Sequence, residues 1–219
     1  MTAPRTPAPA PVSIRAARPG DEPALAEICI ATGDGGRDAR ARYPEPEVLA
    51  DIFLRPYLRF APAWCRVAED DRSVCGYVVA TPDTLDFARR TEAAWWPALR
   101  RRHPLPDPGD DRPQAQLVRR LHAGVLDDLP FLRSHPAHLH IDLLPHAQGR
   151  GVGTRLMTDL LGALEHAGVP GVHLGVAAGN ARALAFYAAL GFEPLERHGW
   201  GCWLGRRLAA GAPPVTGRS

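Results

Sequence analysis

A strand-like run, a turn with glycine at three alternate positions and a helix-like run follow one another between residues 139 and 164, and this succession constrains the fold most. Leu139, Ile141 and Leu143 alternate with His140 and Asp142, the two-residue period of a strand. Residues 152–164 form an amphipathic run of helical character. Between them lies Gln148-Gly149-Arg150-Gly151-Val152-Gly153. At a helix start the first N–H groups lack intrahelical acceptors, and the macrodipole adds about half a positive charge. Glycines there let a ligand approach the main chain and allow unusual backbone angles, so the segment reads as an anion cradle. Gln148 and Arg150 are candidates for further donors.

The cradle is not a P-loop, because no Gly-Lys-Ser/Thr closes it. It also lacks an acidic residue about 20 positions on to hold a ribose, which disfavours dinucleotides. A second strand-like run at 172–176 and a helix-like run at 180–190 follow, the latter ending at Gly191.

Gln148-x-x-Gly151-x-Gly153 followed by Asn180-x-x-Ala183-x-x-Phe186-Tyr187-x-x-Leu190-Gly191-Phe192 resembles the acetyl-CoA-binding core of the GNAT superfamily of N-acetyltransferases. The resemblance covers residues 138–198. A second one, carried by Thr32-Gly-Asp34-Gly-Gly-Arg-Asp38, Tyr43-Pro44 and residues 75–84, is to a bacterial branch similar to the acetyltransferase-like C-terminal domain of O-GlcNAcase. The animal domain of that branch is regarded as a pseudo-acetyltransferase that lacks the cradle, whereas this chain retains it.

The resemblance implies a fold: a GNAT-type mixed α/β domain with a mostly antiparallel central sheet and helices on both faces. It implies acetyl-CoA as cofactor and an amine acceptor, a small amine or a peptide lysine, that attacks the thioester directly. Cofactor contacts are expected from Leu143, Leu144, Gln148, Gly149, Arg150, Gly151, Val152, Gly153, Thr154, Asn180 and Tyr187. The main-chain N–H groups near Leu143 and Leu144 would polarise the thioester carbonyl. Tyr187 would donate to the departing sulfur, since a phenol stays protonated near neutral pH. Asp142 and His140 beside it are alternative candidates for the base, and Asp34, Asp38 and Asp142 are candidate acceptor contacts. A non-catalytic acyl-CoA sensor and a protein-interaction module are the alternatives.

The remaining sequence narrows the class. Apolar residues at 45% and charged residues at 23% are globular values, and no apolar run reaches the roughly 18 residues of a membrane span. A net charge of +2 gives no footprint for nucleic acid. The expected assembly is therefore a monomer or homodimer without nucleic-acid or membrane partners. Cys29, Cys65, Cys75 and Cys202 show no metal or redox spacing and read as free thiols of a reducing cytoplasm. His135-x-x-His138-x-His140 invites a zinc reading, but the family needs no metal and none is expected. All 26 basic residues are arginine, as in GC-rich bacterial coding, so an amine-acetylating chain of this composition has no lysine to modify on itself.

One domain is expected at 12–208, with flexible ends at 1–11 and 209–219. Its elements are a strand at 12–16, a helix to about 31, a helix at 45–54, a hairpin of 64–69 with 74–81, a single helix from Leu85 to Leu99, a helix at 114–123, a strand at 138–144 and closing strands at 192–197 and 202–208.

Overall fold

The computed structural model describes residues 11–123 and 129–209, so the expected flexible ends lie outside the described residues, apart from Pro11 and Ala209. Seven strands form one sheet: β1 (Ser13–Ala16), β2 (Arg66–Glu69), β3 (Val74–Thr81), β4 (Ala137–Leu143), β5 (Gly171–Ala177), β6 (Glu193–His198) and β7 (Gly201–Arg207). Their order is β1-β2-β3-β4-β5-β7-β6, and every pairing is antiparallel except β4 with β5. The expected mixed α/β class is found.

Alternation along β3 and β4 divides the core into two layers. Val78, Ala80 and Leu139 face α7 (Val152–His166) and α8 (Ala181–Ala189), where Leu156, Met157, Leu160 and Leu164 are fully buried. Tyr77 and Val79 face the opposite layer, built from α1 (Glu22–Thr32), α2 (Glu47–Phe53), α3 (Arg55–Phe60), α4 (Thr84–Ala94), α5 (Trp96–Arg102) and α6 (Pro113–Ala123). Arg55 ties three of these helices by pairing with Glu22 at 2.7 Å, Glu47 at 2.6 Å and Asp51 at 2.9 Å.

One expected helix is broken in two, and the helix expected at 45–54, found at Glu47–Phe53, is followed at once by another. The run from Leu85 to Leu99 divides at Trp95, because Pro97 has no N–H and its ring crowds the carbonyl four residues back. Pro56 does not end the helical region. It enters the first turn of α3, where a missing N–H costs nothing.

Candidate active site

The cradle is present as main-chain geometry. Gly149 and Gly151 have φ of 72° and 74°, and a Cβ built on either meets nothing within 4 Å, so the space above them is open. Gly151 is the N-cap of the 15-residue α7, and no side chain caps that end. The N–H groups of Val152, Gly153 and Thr154 in the first turn therefore lack intrahelical acceptors. Val152 itself is buried at 2% exposure and offers only its backbone. Gly153 has a different reason to be glycine: a Cβ there would lie 3.2 Å from the Phe186 ring of α8.

Gln148 does not present its side chain as an anion donor. Its Nε2 donates to the Leu143 carbonyl at 2.7 Å and its Oε1 accepts from Arg182, which braces the turn between β4 and α8. Arg182 thus joins the cradle from a position that motif reading passed over. Arg150 lies nearby and donates to the His146 carbonyl at 3.5 Å.

β4 and β5 pair only at Ala137 with Val172 and His138 with His173, then separate. On its other edge β4 stays paired with β3 up to Leu143, and the Leu144 N–H donates to the Cys75 carbonyl at 2.9 Å. That bond corrects one expectation, since the Leu144 amide is already engaged. It also fixes the alternation of the antiparallel ladder: Leu139, Ile141 and Leu143 turn their main-chain groups away from β3, into the gap beside β5. The Leu143 N–H is the amide that points there.

Tyr187 projects from α8, its ring packed against Phe186 and Phe192. Tyr187 is 8% exposed. Its hydroxyl makes no hydrogen bond among the described residues, yet the only sealed, unpartnered side-chain polar atoms found are on Gln114. The hydroxyl is therefore not sealed from solvent. Burial raises the phenol pKa, and the charge of Asp142 adds to the effect.

Asp142 is half-buried against the second helical layer. It accepts a 2.5 Å hydrogen bond from the fully buried Tyr77 hydroxyl. Burial raises its pKa, opposed by the Tyr77 and Thr32 hydroxyls. His140, two residues earlier on the same face, makes edge contacts with Phe53 and Tyr57, and burial holds its pKa down at about 3.

The crystal structure of SsHAT is 37% identical to this chain and superimposes with a TM-score of 0.81, covering 90% of this chain and 98% of SsHAT. The profile of the Acetyltransferase (GNAT) family matches residues 114–192, which contain the cradle, the divergent strands and α8. The chain belongs to the GNAT acetyltransferase family. Protein O-GlcNAcase of Rattus norvegicus is 26% identical over 200 residues, 90% of this chain and 22% of that protein. Mycothiol acetyltransferase of Jonesia denitrificans is 54% identical over 54 residues, 24% of this chain and 17% of that enzyme. The chain spans about a fifth of the length of these two relatives.

GNAT proteins use acetyl-CoA, and the cradle fits its diphosphate: open space over two positive-φ glycines, uncapped amides at a helix start and the arginines of positions 150 and 182 close by. Asn180 caps α8 through its Oδ1, which accepts from the Ala183 N–H at 3.1 Å, while its amide nitrogen makes no hydrogen bond among the described residues.

Asp34 and Asp38 are less available than their loop position indicates. Asp34 pairs with Arg37 at 3.0 Å and Arg42 at 3.3 Å, and Asp38 pairs with Arg40 at 2.7 Å. The three histidines do not converge on a common point. His138 Nε2 lies 2.6 Å from the Tyr57 hydroxyl and its Nδ1 2.7 Å from Thr84 Oγ1, while His135 Nδ1 meets the Ser134 hydroxyl at 2.9 Å. Thr84 gives its proton to the Pro136 carbonyl, so Nδ1 of His138 is the protonated nitrogen and Nε2 accepts from Tyr57. Among the described residues, the donor atoms close enough to share a metal ion are instead those of Asp70, Cys75 and His146, within 4.8 Å of one another. All four cysteines are buried and free, and no described helix is long and apolar enough to cross a membrane.

Proposed function

We propose that this chain transfers the acetyl group of acetyl-CoA to the primary amine of an acceptor. The observation that carries the reading is the separation of β4 from β5 after two register pairs, followed in the chain by an uncapped, glycine-rich helix start. When bound, the cofactor supplies an activated acetyl thioester. Gly149 to Thr154 hold its diphosphate through main-chain amides, Asn180 and the free edge of β4 hold the arm, and the Leu143 N–H is directed at the acetyl carbonyl. The acceptor nitrogen bonds the acetyl carbon as the carbon–sulfur bond breaks. The Tyr187 hydroxyl would deliver a proton to the sulfur, and the proton lost by the amine would pass to Asp142, directly or through water, and from there through solvent back to the Tyr187 phenolate.

Both titrating groups are set for these tasks. Tyr187 stays protonated well past neutral pH because burial and the Asp142 charge disfavour phenolate. Asp142 is more basic than an ordinary carboxylate because it is buried.

Calorimetric titration with acetyl-CoA, followed by thiol release across amine and lysine-peptide panels, tests the reading. Saturable binding with amine-dependent release of coenzyme A is expected. Binding without release above hydrolysis would identify a sensor, and absence of binding would leave only an interaction module. The chain contains no lysine, so self-acetylation of side chains adds no background.

A further inference from the structure

The helical face of the site carries a distinctive charge pattern. Its carboxylates are matched by arginines of the same chain: Glu22 and Glu47 by Arg55, Asp51 by Arg55 and Arg102, Glu27 and Asp38 by Arg40, and Asp34 by Arg37 and Arg42. Arg59, Arg101, Arg119 and Arg120 of this layer pair with no carboxylate among the described residues, and of these Arg120 of α6 is the one that stands over a ring adjoining His140. Its guanidinium lies 5.2 Å from the Phe53 ring centroid, over the same ring that meets His140 at 5.3 Å. Its side chain is exposed. Its charge is felt at His138 and His140, which burial and neighbouring cations hold neutral. Among the described residues its neighbourhood thus offers an aromatic ring and neutral imidazoles, and no anion.

His140 and Asp142 share one face of β4, two residues apart, which spaces them by about 6.7 Å along the strand. An acceptor whose amine meets Asp142 and whose chain runs back along β4 brings its far end over His140 to the Arg120 guanidinium, which pairs with no carboxylate among the described residues. We infer that the acceptor is a small amine bearing an oxyanion group, a carboxylate in the simplest case, and that Arg120 is the residue that selects it. This rests on the acetyl-transfer reading above and narrows its acceptor class. A basic lysine-rich tail fits poorly, since the acids on this face are already paired and the open charge is positive.

The experiment compares matched pairs that differ only in charge: 3-aminopropanoate, 4-aminobutanoate and 5-aminopentanoate against their carboxamides, with coenzyme A release as readout. A preference of tenfold or more in kcat/KM for at least one carboxylate is expected, as for a charge-assisted hydrogen bond. Arg120→Gln should collapse that ratio toward one, and Arg120→Lys should keep part of it. Acetyl-CoA affinity serves as the folding control for both variants. Titration with 4-acetamidobutanoate and 4-acetamidobutanamide gives a second readout, the carboxylate binding more tightly only when Arg120 is present. Equal or better use of the carboxamides, or a preference that survives Arg120→Gln, overturns the inference. Acetylation of lysine peptides with none of the amino acids used also overturns it, while leaving acetyl transfer standing. Failure of acetyl-CoA to bind removes both.

Discussion

The Tyr77 hydroxyl donates to the Asp142 carboxylate at 2.5 Å across the β3–β4 ladder, so the candidate base is held by a neighbouring strand inside the sheet. This bond opposes the rise in Asp142 pKa that burial produces. Tyr77→Phe should therefore move the acid limb of the kcat/KM profile to higher pH, whereas Asp142→Asn should abolish that limb. Tyr77→Phe also leaves one carboxylate oxygen without its donor, at a cost of about 1–3 kcal/mol in urea unfolding. An acid limb that stays in place in Tyr77→Phe would remove Asp142 as the titrating group.

Gly151 and Tyr187 separate binding from chemistry. Gly151→Val puts a branched side chain at φ 74°, a conformation that costs an L-residue about 1–2 kcal/mol, and fills the open space over the cradle. Acetyl-CoA affinity should fall by more than tenfold. Tyr187→Phe should keep affinity within about twofold and lower kcat by roughly 10²–10⁴, the usual range for a general acid. Equal losses of affinity in the two variants would contradict the assigned roles.

Stability should decline with acid in a defined window. Burial lowers the pKa of His138 well below 6.5, that of His140 to about 3 and that of His173 to about 4. Between pH 6.5 and about 4 the unfolded chain binds protons at these positions and the folded chain does not. Unfolding free energy therefore falls with decreasing pH, by up to about 1.4 kcal/mol per pH unit for each histidine. Asp142 acts in the opposite direction, because its folded pKa is raised and the folded chain gains a proton first. Urea midpoints measured from pH 7 to pH 4.5 should decrease, and His140→Asn should flatten the slope.

The cradle was legible because its signal is local: glycines at fixed spacing on a strand-to-helix turn require positive φ and open space, whatever the rest of the chain does. Tyr187 was legible through the Phe-Tyr pair that follows Asn180. Tyr77, Arg182 and Arg120 were not, since each reaches the site by tertiary contact: Tyr77 from the adjacent strand, Arg182 across to Gln148, and Arg120 from a helix that reads as an ordinary amphipathic surface. Asp34 and Asp38 show a related limit. A loop carboxylate looks available in sequence, and only folding shows which arginine neutralises it. Pro56 and Pro97 show the same limit for the fold, because a proline that starts a helix and one that stops it are the same residue in sequence.

Gln148 links the carbonyl of Leu143 to the guanidinium of Arg182, holding the end of β4, the turn and α8 together beside the cradle. Gln148→Ala removes both bonds without adding charge, and the expected result is acetyl-CoA affinity weakened by about tenfold, the worth of one to two hydrogen bonds. Gln148→Glu keeps an acceptor for Arg182 but sets a carboxylate against the Leu143 carbonyl and brings negative charge to a site meant for a diphosphate. Its affinity should therefore fall further than that of the alanine variant, and the gap between the two should narrow as salt is raised, because screening weakens repulsion at a solvent-exposed cradle. Titrations of both variants at low and high ionic strength check the order. A glutamate variant that binds as tightly as Gln148→Ala at low salt would place the diphosphate away from this turn.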